Sequence, residues 1–176
     1  MASEAGVSEQ TVYRIFGNKA KLLRAVILTA VGGPDDAQVV RESPRMTQMA
    51  DAPTPAARLR LMARWAQEAY ERGLADLENM VRAAATTDER LSQLANDMAL
   101  QRYEDTRSLV LAIVGGAGLP PSIEADDIVD YIYAVESTPV YTQLTTERGW
   151  TTEKYVEWFV QLVERLFLSR LTEPTE

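Results

Sequence analysis

Ser8-Glu-Gln-Thr-Val-Tyr-Arg-Ile-Phe16 decides the fold, read together with Ala2-Ser-Glu-Ala-Gly-Val7 before it and Gly17-Asn-Lys-Ala-Lys-Leu-Leu23 after it. Gly6 tolerates the left-handed backbone that ends a short helix, Val7 packs the corner, and Ser8 has the side-chain oxygen that caps a new helix. Short helix, glycine turn and second helix together make a helix-turn-helix. In the second helix Val12, Ile15 and Phe16 fall at the spacing of one buried stripe. Glu9, Gln10, Thr11, Tyr13 and Arg14 are left for the other faces, where side chains can touch a duplex.

Composition narrows the chemistry around this segment. The 176 residues are enough for one core plus a small satellite module, and they include no cysteine and no histidine. That removes disulfides, thiolate or imidazole metal ligands, and every Ser-His-Asp or Cys-His arrangement. No catalytic residue, metal site or cofactor is expected. Asp97, Asp105 and Tyr131 are the groups an enzyme reading would have to use, and it would need carboxylates with split pKa values. No run is apolar for long enough to span a bilayer and no signal-type amino terminus is present, so a cytoplasmic protein that does not engage membranes is expected. The net charge of −8 is unevenly spread. Residues 1–31 carry Arg14, Lys19, Lys21 and Arg24 against Glu4 and Glu9, a net +2, and the remainder carries −10. A polyanion is attracted to the first part and repelled by the second.

Helical spacing continues along the chain. A helix over Lys19–Val31 is followed by a stretch, 32–55, rich in glycine, proline and aspartate, which reads as a mobile connector. Helix resumes near Ala56 with Leu59, Met62, Ala66, Ala69 and Tyr70 on one stripe and Trp65 beside it, and Gly73 ends it. A further helix runs from about Ala75 to Ala85. Thr87 or Asp88 then caps a long one striped by Leu91, Leu94, Met98, Leu109 and Ile113. Gly115-Gly-Ala-Gly118 and Pro120-Pro121 stop it and read as a loop, since no lysine with serine or threonine follows to make a phosphate cradle. Ser122 opens the next helix, with Ile128, Ile132 and Val135 on one face. Asp126, Asp127 and Asp130 near its start suit the helix dipole better than a metal. Thr151 or Thr152 caps the last helix. No strand-type alternation occurs, so the fold class is all-α.

Two features of the body bear on function. In the last helix Tyr155, Trp158, Phe159, Leu162 and Leu166 form one stripe, and Val156, Val160, Val163 and Phe167 form a second beside it. A face this wide predicts a second covering surface, and in a short chain a partner subunit is the favoured one. Arg102 and Asp105 interrupt the stripe of the long helix one turn apart. They are either an exposed ion pair or inward groups that need partners, such as a ligand carboxylate or hydroxyl.

Ala5-Gly-Val-Ser8, Thr11-Val-Tyr13, Phe16 and Lys19 with Leu22-Leu23 together resemble the DNA-reading module of the TetR family of bacterial repressors. Ile15 departs from the family pattern, which usually has an aromatic residue or histidine there to help hold a backbone phosphate. The family also places one helix and most of another before this point, so residues 1–31 are expected to be a partial helix-turn-helix domain lacking its first helix and part of its second. The resemblance implies a regulatory domain over 56–176 whose last two long helices build a four-helix, two-fold homodimer interface. Tyr155, Trp158, Phe159, Leu162 and Leu166 would form that interface. Two paired heads would enter successive major grooves of a palindromic double-stranded operator. Ser8, Thr11, Tyr13 and Lys19 would hold phosphates, while Glu9, Gln10 and Arg14 would read bases.

By the same resemblance a small-molecule effector enters an apolar pocket inside the helices. The candidate lining residues are Met62, Trp65, Tyr70, Met80, Met98, Arg102, Tyr103, Asp105 and Tyr131. The leading expectation is a ligand-responsive repressor released from its operator by that molecule. The alternative is a dimeric ligand-binding or interaction module that does not hold DNA.

Overall fold

The structure, a computed structural model, describes residues 6, 8–35, 37–115 and 124–168. It is all-α, with no strand among the described residues. α1 (Glu9–Phe16) begins where the Ser8 hydroxyl accepts the Thr11 amide at 3.1 Å, and it stops at Gly17, whose φ of 77° is one that a side chain would resist. Asn18 then caps α2 (Lys19–Gly32) through the Lys21 amide. α1 packs on α2, with Val12 and Phe16 half-buried. Ile15 corrects the expected stripe: it is 66% exposed, because an eight-residue helix resting on one neighbour buries only the positions turned toward it.

The segment 32–55 is not a bare connector. It holds a 3-10 turn (Val40–Glu42) and α3 (Pro44–Ala50), and Met49 of α3 is fully buried. Ser43 at the N-cap and Pro44 in the first turn start α3, and α3 packs on the long helix of the body. α4 (Pro55–Glu71) is capped by Thr54, and Gly73, at φ 86°, turns the chain into α5 (Leu74–Ala84). Asp88 accepts the Arg90 and Leu91 amides and starts α6 (Glu89–Val114), which closes at Gly115. The Gly116–Gly118 cluster and Ser122 lie outside the described residues. After them come α7 (Ala125–Val135), α8 (Thr138–Thr142) with a π-helical turn at Gln143–Glu147, and α9 (Thr152–Val163), capped by Thr151 and extended by a π-helical turn to Leu168.

The main core lies between α4, α6, α7 and α9, with Leu59, Val110, Ile132, Phe159 and Val163 at its centre. Each such side chain contributes about 1.5–3 kcal/mol when fully buried. Inside it Tyr70 stacks on Tyr141 at 3.8 Å between centroids, and Tyr155 sits edge-on to both. Burial is the main reason the Tyr70 and Tyr155 hydroxyls are held well above the ordinary tyrosine range.

The wide apolar face of α9 is largely consumed by this core. Tyr155 and Phe159, expected at a subunit interface, are 1% and 2% exposed. α4 and the 143–147 turn pack against α9, and the Tyr155 hydroxyl donates to the Val135 carbonyl at 3.1 Å. The chain itself covers Tyr155 and Phe159, and of the five expected interface residues Trp158, Leu162 and Leu166 keep partial exposure.

A second, smaller core joins Leu23 and Ile27 of α2 to Val81 of α5 and to Leu91 and Leu94 of α6. The helix that carries α1 is thus built into the body. Arg72, at the end of α4, clamps it further by donating to the Ala30 and Val31 carbonyls at 2.7 and 2.9 Å, groups that a helix terminus otherwise leaves unpaired. Arg72→Ala is expected to weaken this docking by about 1–3 kcal/mol. Hydrogen exchange checks it: the α2 amides should exchange faster while those of α6 and α9 keep their protection.

Candidate nucleic-acid interface and effector cavity

α1 turns one polar face outward. Gln10, Tyr13 and Arg14, spaced i, i+3 and i+4, share one face and are exposed, Tyr13 to 60%. Glu9 occupies the first position of the helix. Ser8 and Thr11 are partly spent on the cap, with their hydroxyl oxygens 2.9 Å apart. Lys19 and Lys21 are exposed at the start of α2, beside the C-terminal end of α1. Arg24 corrects the simple charge count. Its guanidinium turns into the body and donates to Gln101 at 3.0 Å, so it belongs to the interior and not to the basic end of the molecule.

The place Arg24 reaches is a cavity of about 160 Å³ lined by α2, the 38–43 segment, the start of α3, α4, α5, α6 and the end of α7. Of the nine residues expected to line such a pocket, Met62, Trp65, Met98, Arg102 and Asp105 do so. Tyr70 stands one layer behind the wall, its hydroxyl on Glu136. The other three are elsewhere. Met80 is on the surface, 44% exposed; Tyr103 packs edge-on to Tyr133 at 5.4 Å, and Tyr131 edge-on to Phe167 at 5.2 Å.

Arg102 and Asp105 both face inward, yet neither pairs with the other or lacks a partner. Arg102 donates to the Tyr133 and Glu136 carbonyls at 2.9 and 3.2 Å and lies over the Tyr133 ring. Asp105 accepts from the Arg41 amide and guanidinium, both at 3.3 Å, and from the Gln101 side chain at 3.4 Å. Burial nonetheless outweighs these donors and raises its carboxyl above the usual range. One chain of contacts, Arg24 to Gln101 to Asp105 to Arg41, therefore ties α2 to α6 and to the 3-10 turn along the cavity wall.

Sequence reasoning missed Arg24, Glu78, Gln101 and Glu136 as wall residues. Glu136 is the most perturbed of them. Burial pushes its carboxyl up to about 7, with Glu78 adding to the rise, while the Arg102 charge and the Tyr70 hydroxyl pull the other way. A signal for Glu136 existed in its position: it follows an apolar helical stripe where solvent contact is unexpected.

Among the described residues no helix is long and apolar enough to cross a membrane, and no group of acidic side chains converges on a metal site. No curated protein and no solved structure matches the chain. One family model does: residues 1–26, which include all of α1 and the start of α2, match "Bacterial regulatory proteins, tetR family", so this exposed helix and its approach are similar to the amino-terminal module of those regulators.

Proposed function

We propose that the chain is a small-molecule-responsive, DNA-binding transcription regulator, a repressor that two copies bring to a palindromic operator, and that it performs no catalysis. One observation carries the reading: α2 both supports the exposed helix α1 and forms a wall of the cavity, through Ile27, Leu28 and Val31 as well as Arg24. A ligand that fits best when α2 is displaced lowers DNA affinity by its preference for that state. The homodimer in this reading uses what remains half-exposed on α9, Trp158 and Leu162 among it.

Arg14 and Gln10 read bases, while Tyr13 and Lys19 hold the backbone. Lys19→Ala is then expected to weaken binding to every duplex by a similar factor and to lower the salt slope by about one. Gln10→Ala should instead change which sequence is preferred, with a cost of about 1–3 kcal/mol confined to one base pair of each half-site. Fluorescence-anisotropy titrations across a salt series measure both. If neither variant differs from the wild type on any duplex, the chain is a ligand-binding module that does not hold DNA.

A further inference from the structure

The charged groups around the cavity are unequally satisfied. Arg102 is held by two carbonyls and an aromatic face, Arg45 pairs with Glu68 at 3.0 Å, and Arg24 donates to Gln101. Asp105 is taken by Arg41. Glu78 and Glu136 differ. Each accepts from a single hydroxyl, Glu78 from Thr138 and Glu136 from Tyr70 at 3.3 Å, and among the described residues neither forms an ion pair. They come from α5 and from the end of α7, yet they line the same cavity, and the Glu78 charge helps to raise the Glu136 carboxyl. Away from them the wall is mostly apolar, with Met62, Trp65 and Leu109 prominent.

We propose that this cavity takes a compact apolar cation, a primary or secondary amine on a body about the size of one ring, with its ammonium group set against Glu136 and Glu78. The inference rests on the reading of the cavity as the effector site. An ammonium adds a charged donor to two half-buried carboxylates that each hold a single hydroxyl donor, and offsets their like charge. The inner space of about 160 Å³ has room for a benzene-sized body. Opposing the proposal is Arg24, whose only described partner is the neutral Gln101 amide and which would anchor a carboxylate instead.

Proton linkage separates these alternatives. Glu136 is faced by Arg102 from α6, Glu78 from α5, Tyr70 from α4 and Tyr155 from α9, and in the empty cavity its carboxyl holds a proton up to about pH 7. Setting an ammonium against it expels that proton, and a carboxylate bound at Arg24 does not.

The test is calorimetric titration of the full chain with 2-phenylethylamine, 2-phenylethanol and 3-phenylpropanoate at pH 6 and pH 8, each in two buffers of different protonation heat. The amine is expected to bind at least about tenfold more tightly than the other two, to tighten from pH 6 to pH 8, and to release a proton at pH 6. Glu136→Gln should lose about tenfold or more of that affinity and all of the proton release, and a retained thermal transition will show that it folds. Failure of the amine to bind, equal or tighter binding of 3-phenylpropanoate, or unchanged proton release in Glu136→Gln overturns the proposal. Adding each compound to the protein–DNA complex tests the two readings apart. An amine that binds without changing DNA affinity upholds this inference and removes the regulatory role. DNA release by the carboxylate alone does the reverse.

Discussion

Tyr155→Ala is expected to cost about 3–5 kcal/mol of folding stability, and the loss should be the same at every protein concentration. The side chain is almost wholly enclosed, stands edge-on to Tyr70 and Tyr141, and its hydroxyl donates to the Val135 carbonyl where α7 ends. Truncation removes aromatic contacts on two sides and leaves that carbonyl without its donor. Tyr155→Phe keeps the ring and should cost only about 1 kcal/mol. Urea unfolding at two concentrations a hundredfold apart measures both terms. If Tyr155 instead packed against a second subunit, the difference between wild-type and variant midpoints would change with concentration, and the packing of Tyr155 inside one chain would be wrong. Trp158→Ala provides the contrast, because that half-exposed side chain is available to a partner.

The second large effect is a pH dependence of stability. The Glu136 carboxyl lies at about 7 in the folded chain against an ordinary 4.5, so between those values the folded state holds a proton that the unfolded state has lost. Stability must therefore fall as pH rises through this window, by about 3 kcal/mol for Glu136 alone. Its contribution is fully present below pH 4.5 and gone above about 7. Asp105, raised by burial as well, adds a slope of the same sign at the acidic side. Glu136→Gln should flatten the curve between pH 5 and 7 and make the protein more stable than the wild type at pH 8. Denaturant midpoints across pH 4 to 8 test this, and a wild-type stability that climbs toward neutrality would contradict it.

What the sequence made legible were features written in neighbouring residues. Ser8, Asp88 and Thr151 mark helix starts by their own chemistry, and each was found where local reasoning placed it or within one residue. The stripe Leu91, Leu94, Leu109 and Ile113 faces the interior for the same reason. α3 escaped notice although Ser43-Pro44 is a recognisable start, because the surrounding glycines, prolines and aspartates gave the whole stretch the composition of a connector.

The cavity was legible only in part. Its apolar members sit on stripes, but Arg24, Glu78, Gln101 and Glu136 come from α2, α5, α6 and the end of α7. Crossing angles bring them together, and periodicity within one helix carries no information about those. Tyr103 and Tyr131 show the converse: aromatic residues at plausible spacing that pair away from the cavity, with Tyr133 of α7 and with Phe167 after α9. In α9 the width of the apolar face was legible, and the burial of Tyr155 and Phe159 within the same chain was not. Deciding between a neighbour in the same chain and one in another needs the position of α4.

The central claim is that α1 is a base-reading helix carried by a ligand-sensitive α2, and the most direct measurement is selection of bound duplexes from a pool of random sequence at low salt. Wild-type protein should enrich an inverted repeat whose half-sites are about one helical turn apart, and Arg14→Ala should lose the preference at one base pair in each half. Recovery of no sequence above background by the wild type, or of the same sequences at the same affinity by Arg14→Ala, would contradict it.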